Sequence, residues 1–335
     1  MDFKNIESLK DFWGTLLIEN FNDKLFSYCG GKANASFNIS NNINTLFGTA
    51  SVTKFFTALG IMTLIETEKL SLTDKPYKIL NLNNKFENEI TVQNLLNHTS
   101  GIGDYFDEEI NDDFASIWIN NPVYNLNNLE DFLPLFINLE NKFEPGKNFS
   151  YCNSGYILLG YLIEKISGNN YFEFIEKILE ELNLIKTKFY KSNDVVENLA
   201  EGYYYEDDQL KRNIFDFPYR GAPDGGIFSN VIELNKLFKL FFENKVVSKG
   251  IKEKMISSQV KIAEGKSYNY FYGLGIYILK DKNDNVISYY LEGEDPGYFA
   301  KVSFLPEQNI FFSILSNLES DIEDIFWDVI EISNN

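Results

Sequence analysis

Four residues in two short segments carry side chains from which this chain could build an activated nucleophile. Ser51 and Lys54 supply a hydroxyl and an amine one helical turn apart, and Tyr151 and Asn153 supply a phenol and an amide. A serine hydroxyl attacks a carbonyl carbon only after a base removes its proton. A lysine with a depressed pKa, or a tyrosine whose phenolate is stabilised by an ammonium group, can be that base.

The spacing of the first pair is a weak signal by itself. Residues at i and i+3 share one helix face, so Ser51 and Lys54 can approach each other. The same spacing recurs at Ser258 and Lys261, in a charged stretch with no companion segment, and we interpret that copy as coincidence. At a helix N-terminus, Ser51 would also lie beside backbone N–H donors that stabilise an oxyanion.

The apolar pattern predicts helices that would position both segments. Apolar residues at three- and four-residue spacing predict a helix over residues 51–69, with Ser51 at its start, and another over 153–166 closed by Gly168. Shorter or later helices are predicted over residues 90–96, 171–182, 231–242 and 322–332.

Strands are predicted at both ends of the chain. Residues 13–18 and 25–28 read as an antiparallel hairpin, and later strands are predicted over residues 272–279, 286–291, 299–304 and 310–316. We therefore expect an α+β fold in which an antiparallel sheet flanked by helices joins a mostly helical lobe. A single catalytic domain over residues 1–335 would divide into an α/β lobe, about 1–75 and 250–335, and a helical lobe, about 76–249.

Composition and charge exclude several classes of function. A net charge of −19 is repelled by nucleic-acid phosphates and by anionic membranes, so we expect neither partner. The N-terminus lacks a signal-peptide pattern, and no run is long enough to span a membrane, so we expect a cytoplasmic protein unless a leader has been removed. We expect a small-molecule or short-peptide substrate, no cofactor and no metal; the sequence does not determine the oligomeric state.

Five segments together carry a resemblance to a known family. They are Phe47-Gly-Thr-Ala-Ser-Val-Thr-Lys54, Leu95-Leu-Asn-His-Thr-Ser-Gly-Ile-Gly-Asp-Tyr105, the stretch from Pro145 to Gly160 around Tyr151-Cys-Asn153, Gly225-Gly-Ile-Phe-Ser-Asn230 and Gly293-Glu-Asp-Pro-Gly-Tyr298. In this order they resemble the motifs of the serine β-lactamase and penicillin-binding-protein superfamily, and most closely its class C β-lactamase-like branch, which includes esterases and D-peptidases.

The resemblance implies an acyl-enzyme mechanism. By it, Ser51 would attack an ester or amide carbonyl, and Lys54 and Tyr151 would share the proton transfers, with the choice of base left open. Asn153 would bind Lys54 or the substrate. The backbone N–H groups of Ser51 and Glu294 would form an oxyanion hole, which in comparable hydrolases is worth roughly 10²–10³ in rate per donor.

The third motif departs from the family pattern. The family has Lys or His, a variable residue and Gly, whereas this chain has Leu291-Glu292-Gly293. In the family, the cation at this position helps to lower the pKa of the tyrosine and to hold a substrate carboxylate, and Leu291 can do neither. We therefore expect poor turnover of β-lactams and of D-Ala-D-Ala peptides. A neutral ester, or a peptide with a free amino group near Glu292, Gly293 and Glu294, becomes the favoured substrate.

Other candidate sites have simpler explanations. His98 lies in a helix-ending turn, so a Ser51–His98 or Cys152–His98 dyad is disfavoured. The residues from Asp281 to Glu292 imitate a calcium loop, but a hairpin turn explains them, because the required central glycine is Val286. An acidic run is interpreted as a solvated loop; it contains Asp107, Glu108, Glu109, Asp112 and Asp113.

Two functions therefore remain. The favoured one is a serine hydrolase that acts through Ser51. The alternative is a penicillin-binding-like binding or sensor module whose catalysis was impaired when the third motif lost its basic residue. The presence of all four residues Ser51, Lys54, Tyr151 and Asn153 argues against this alternative.

Overall fold

Strands lie near both ends of the chain, and most of the helices lie between them. The computed structural model describes residues 1–111, 116–216, 218–319 and 322–334. The strands are β1 (Gly14–Glu19), β2 (Lys24–Gly30), β3 (Lys32–Asn34), β4 (Ile39–Ser40), β5 (Phe47–Gly48), β6 (Tyr203–Glu206), β7 (Gln209–Arg212), β8 (Phe228–Ser229), β9 (Val260–Glu264), β10 (Tyr268–Tyr272), β11 (Tyr277–Asp281), β12 (Val286–Asp295), β13 (Tyr298–Leu305) and β14 (Ile310–Ser316). The helices are α1 (Thr53–Glu66), α2 (Pro76–Leu80), α3 (Val92–Leu96), α4 (Ser116–Asn120), α5 (Leu133–Phe136), α6 (Asn153–Ser167), α7 (Tyr171–Glu181), α8 (Val231–Phe242), α9 (Lys249–Met255) and α10 (Ile322–Asn334).

One antiparallel sheet joins the two ends of the chain. Its eight strands run in the order β2-β1-β14-β13-β12-β11-β10-β9, so the N-terminal hairpin lies beside the last strand. Side chains of β14 alternate between two cores: Phe312 and Ile314 pack on the α10 side, and Phe311 and Leu315 on the side of α1 and α8. The predicted α+β fold with an antiparallel sheet flanked by helices is confirmed, and the residue ranges of two lobes stay a prediction.

The helices that carry the candidate residues are buried. Helix α1 is apolar on nearly all sides, and most of its residues are inaccessible to solvent, as expected of a helix that other elements surround. Helix α6 packs against it and ends at Gly168, whose φ of 73° makes the left-handed cap that glycine favours. No helix within the described ranges combines the length and apolar character needed to cross a bilayer.

The predicted single strand over residues 272–279 is wrong in its first half, because residues 273–276 form a turn and only 277–279 belong to β11. The chain turns there between β10 and β11: the Gly273 N–H donates to the Ile276 carbonyl at 2.8 Å, and Gly275 has a φ of +82°. Apolar residues continue on both sides of the two glycines, so the hydrophobic pattern hides the turn. The strand β9 was not predicted, and it contains Lys261, whose ammonium pairs with Glu264 at 2.5 Å on an exposed edge.

Candidate active site

Ser51 lies in a single 3₁₀ turn, Ala50–Val52, directly before α1. Ala50 is buried with a φ of +47°, a left-handed conformation that costs a non-glycine residue free energy. Thr53 holds this turn: its hydroxyl donates to the Ala50 carbonyl at 2.7 Å and accepts from the Ile227 N–H at 3.0 Å. The strained backbone therefore presents Ser51 in a defined place at the cleft.

Lys54 projects from the first turn of α1 into a buried set of acceptors. Its Nζ lies 2.9 Å from Ser51 Oγ, 2.7 Å from Asn153 Oδ1 and 2.7 Å from the Asp224 carbonyl oxygen. Burial lowers the pKa of Lys54, and attraction to the Asp224 carboxylate opposes that shift. A lysine held this way can exist as a free amine next to the serine hydroxyl.

Tyr151 contacts both Ser51 and Lys54. Its side chain is hydrogen-bonded to the Ser51 side chain, and its ring centroid is 4.7 Å from Lys54 Nζ. Burial, with a smaller contribution from the Glu108 carboxylate, raises the pKa of Tyr151 well above its ordinary value. The phenol therefore carries its proton at neutral pH.

Asn153 is held at the first position of α6 by groups from the segment before α4. Its Nδ2 donates to the Phe106 carbonyl and to Glu108 Oε1, each at 3.1 Å, so its Oδ1 is the atom that faces Lys54. Asp104 accepts from the Asn153 N–H and the Ser154 N–H, both at 2.8 Å. The fold thus brings the four predicted residues, Ser51, Lys54, Tyr151 and Asn153, into contact with one another.

Two residues of the predicted acidic run, Asp112 and Asp113, lie outside the described residues.

Gly293 lies where β12 passes the serine turn. A Cβ at this position would come within 2.3 Å of the Thr49 carbonyl oxygen and 2.7 Å of the Ser51 nitrogen. Any side chain at Gly293 would push the strand away from the nucleophile. The oxyanion hole expected from the backbone N–H groups of Ser51 and Glu294, the residue after Gly293, stays a prediction.

The other two residues of the third motif, Leu291 and Glu292, do not line the cleft that contains Ser51. Leu291 is buried in the core that contains α1. Glu292 is half exposed, and its carboxylate pairs with the buried Lys301 at 2.9 Å. Glu292 lines a cavity of about 450 Å³ beside the main cleft rather than the cleft that contains Ser51. Its expected contact with substrate stays a prediction.

A cavity of about 850 Å³ opens onto Ser51 and Asn153. Its acidic lining residues are Glu108, Glu201, Asp224, Glu294, Asp295 and Glu319. Cations at its wall are Lys191 and Arg212, and Arg212 pairs with Glu201 at 3.1 Å. Burial raises the pKa of Asp295 to about 8, so this carboxyl carries its proton at neutral pH. The other acidic residues still outnumber Lys191 and Arg212 along the wall of the cleft.

Sequence reasoning did not single out three residues that support the site. Tyr105 donates its hydroxyl to the Asp224 carboxylate, and Asp224 in turn accepts from Lys54 through its backbone carbonyl. Asp104 and Tyr105 end the Leu95–Tyr105 motif, and Asp224 directly precedes the glycine pair of the fourth motif. Their positions inside these motifs were the available signal.

The histidine alternatives do not fit the geometry. His98 Nδ1 accepts from the Cys152 N–H at 3.0 Å, and Nε2 has no hydrogen-bond partner among the described residues. Burial raises the pKa of the Cys152 thiol well above its ordinary value, which disfavours a thiolate nucleophile. Within the same described ranges, no group of His, Cys, Asp and Glu is arranged to hold a metal ion.

Comparison with known proteins agrees with this geometry. The family model described as Beta-lactamase matches residues 20–326, which is most of the chain. The chain belongs to the β-lactamase family. It is 28% identical over 342 residues to penicillin-binding protein 4* of Bacillus subtilis (strain 168), covering 96% of this chain and 71% of that protein.

Solved structures give the same assignment. The penicillin binding protein from Bacillus halodurans superposes with a TM-score of 0.93 at 32% identity, over 99% of this chain and 100% of that chain. The D-amino acid amidase from Ochrobactrum anthropi SV3 superposes with a TM-score of 0.79 at 19% identity, over 97% and 94% of the two chains, which is a likeness of fold. The predicted membership in the serine β-lactamase and penicillin-binding-protein superfamily is confirmed, and it makes this chain a serine hydrolase in general terms.

Proposed function

We propose that this protein hydrolyses an ester or amide through an acyl-enzyme on Ser51, in the manner of the class C-like esterases and D-peptidases. The observation that carries the proposal is the set of contacts around Lys54. Asn153 Oδ1 and the Asp224 carbonyl oxygen can only accept hydrogen bonds. They take the two N–H bonds of a neutral amine and leave its lone pair for the hydrogen of Ser51 Oγ.

Lys54 is accordingly the base in this proposal. Its pKa is lowered by burial, whereas burial raises the pKa of Tyr151, so the amine is the easier of the two to deprotonate. As Ser51 Oγ bonds to the substrate carbonyl carbon, its proton passes to Lys54. The neutral Tyr151 phenol then donates a proton to the leaving oxygen or nitrogen and takes up the proton held by Lys54, so both groups return to their starting states. Water next attacks the acyl carbon and gives a proton to Lys54, and Ser51 Oγ takes that proton back as its bond to the acyl group breaks.

The oxyanion that forms in this step needs stabilising donors. The backbone N–H groups of Ser51 and Glu294 are the proposed pair, and the tight packing of Gly293 on the serine turn supports this assignment. Donors of this kind act most strongly where water is excluded, because the local dielectric constant is low.

The charge around the cleft favours neutral or amine-bearing substrates over substrates that carry a carboxylate. Leu291 supplies no charge where the family has a cation, and Lys301 is engaged by Glu292 and Glu323. Glu108 and Glu294 would repel a carboxylate and attract an ammonium group, whereas Asp295, with its pKa raised to about 8, carries its proton at neutral pH and adds no charge. β-Lactam turnover is therefore proposed to be poor.

Covalent labelling decides between this hydrolase and the binding module. The unmodified protein and Ser51→Ala are each treated with a neutral fluorophosphonate and with a fluorescent penicillin, and the intact masses are measured. We expect one fluorophosphonate adduct that forms faster than any penicillin adduct, and none on Ser51→Ala. An unmodified protein that reacts with neither probe would favour the binding module.

A further inference from the structure

The sole histidine of the chain lies against the candidate site without any part in the proposed proton transfers. His98 is 1% exposed and follows α3 with a φ of +59°. A histidine in this left-handed conformation is uncommon, and surrounding contacts must hold it there. Its place in the fold therefore calls for an explanation beyond turn formation.

Three contacts join His98 to the residues on both sides of Tyr151. The His98 carbonyl accepts from the Ser150 N–H at 3.0 Å, and the His98 Nδ1 accepts from the Cys152 N–H at 3.0 Å. Between these two bonds, the Tyr151 ring lies over the imidazole, with centroids 4.4 Å apart and planes 32° apart. One residue thus binds the backbone before and after Tyr151 and packs against its ring.

The hydrogen bond at Nδ1 specifies the protonation state of the ring. A nitrogen that accepts from a backbone N–H carries no proton, so the proton of the neutral imidazole is on Nε2. Tyr156, Tyr272 and Phe149 surround the ring, with centroid distances of 5.2, 4.8 and 5.8 Å, and leave no water-facing side. Burial, followed by repulsion from Lys54, lowers the pKa of His98 well below 6.5, which agrees with a neutral ring.

We propose that His98 is a positioning residue for Tyr151. It acts as a neutral imidazole that accepts a hydrogen bond from the Cys152 N–H at Nδ1 and packs against the phenol ring. The proposal rests on the function proposed for Tyr151. Rotation of this segment would move the phenol relative to Ser51 and Lys54, and misplacement of a reacting group by about 1 Å can cost on the order of 10²-fold in rate.

Two variants of His98 separate positioning from simple packing. Asparagine carries an oxygen in the place of Nδ1 and tolerates a positive φ, whereas glutamine places its oxygen where Nε2 lies. His98→Asn should keep the acylation rate within about tenfold of the unmodified protein, and His98→Gln should lower it about 10²-fold with little change in KM. Thermal melts of both variants show that they are compared in the folded state.

Equal rates for the two folded variants would overturn the proposal, because the acceptor at Nδ1 would then be irrelevant. A second measurement does not depend on activity or on folding of the variants. With ¹⁵N-labelled histidine, the unmodified protein has a single imidazole to observe by NMR. A proton on Nε2 with Nδ1 free at pH 7 supports the proposal, and a proton on Nδ1 overturns it. If neither the fluorophosphonate nor the penicillin labels Ser51, the proposed hydrolase function fails. The NMR measurement still determines which nitrogen of His98 carries the proton.

Discussion

At the scale of single residues, the proposed chemistry depends on which group loses its proton. Lys54 lies within hydrogen-bond distance of two obligate acceptors and of the Ser51 hydroxyl, and Tyr151 is hydrogen-bonded to the same hydroxyl. The spacing of Ser51 and Lys54 in the sequence predicts their contact, but it does not decide between lysine and tyrosine as the base. Burial favours lysine in the proposed mechanism, since burial stabilises the neutral forms of both groups, which are the free amine and the protonated phenol.

The pH dependence of acylation should follow Lys54. The free amine is the active form, so the rate should rise with pH and level off at a pH below the ordinary lysine pKa of 10.5, because burial lowers the pKa of Lys54. The Asp224 carboxylate opposes that shift, so Asp224→Asn should move the rising limb to lower pH. Asparagine still offers an oxygen to the Tyr105 hydroxyl.

The measurement is the rate of fluorophosphonate labelling between pH 5 and 10. Glu253→Gln is the matched control, because Glu253 is an exposed carboxylate on α9 that pairs with Lys249 and does not line the cleft that contains Ser51. A limb that stays in place in Asp224→Asn would contradict the assignment of Lys54 as the base.

At the scale of elements, the start of α6 is positioned by a residue distant in sequence. Asp104 accepts from the N–H groups of Asn153 and Ser154 and from the Ser154 hydroxyl, each at 2.8 Å. These are N–H groups that a helix cannot satisfy internally. The apolar period predicts where α6 begins and ends, but the period carries no information about a cap supplied from another segment.

Removal of this cap should destabilise the protein and disturb Asn153. Asp104→Ala leaves buried donors without a partner, at a cost of about 1–3 kcal/mol in the free energy of unfolding. Asp104→Asn keeps one acceptor and should cost less. Chemical denaturation of the three proteins at one pH measures the difference, and an Asp104→Ala protein as stable as the unmodified one would show that the cap is unimportant.

The same carboxyl makes stability depend on pH. Burial raises the pKa of Asp104 to about 6 in the folded protein, above its ordinary value of 3.8. A raised folded pKa gives a contribution that is fully present below the unfolded pKa and is lost as the pH rises through about 6. The stability of the unmodified protein relative to Asp104→Asn should therefore decrease between about pH 4 and pH 6 and level off above that range.

At the scale of the whole molecule, charge should select among substrates. The net charge is −19, and carboxylates line the cleft that opens onto Ser51. We expect a neutral ester and an amine-bearing amide to be hydrolysed at least about tenfold faster than a penicillin or a D-Ala-D-Ala peptide, because each tenfold corresponds to only about 1.4 kcal/mol.

Varying the ionic strength distinguishes selection of substrates by charge from selection by the shape of the pocket. Added salt screens exposed charges, so it should raise kcat/KM for anionic substrates, lower it for cationic ones and leave a neutral ester of the same acyl group unchanged. Faster turnover of the anionic substrates at low salt would refute the preference proposed here.

By itself, the sequence determined the superfamily, the α+β class and the four residues Ser51, Lys54, Tyr151 and Asn153, because motifs and hydrophobic periods are local patterns. Only the tertiary structure decided how residues far apart in sequence meet. It placed Glu292 against Lys301 outside the main cleft, brought Asp104 to the start of α6 and put His98 under Tyr151. These contacts depend on how β12, α3 and α6 pack, and no spacing along the chain records that packing.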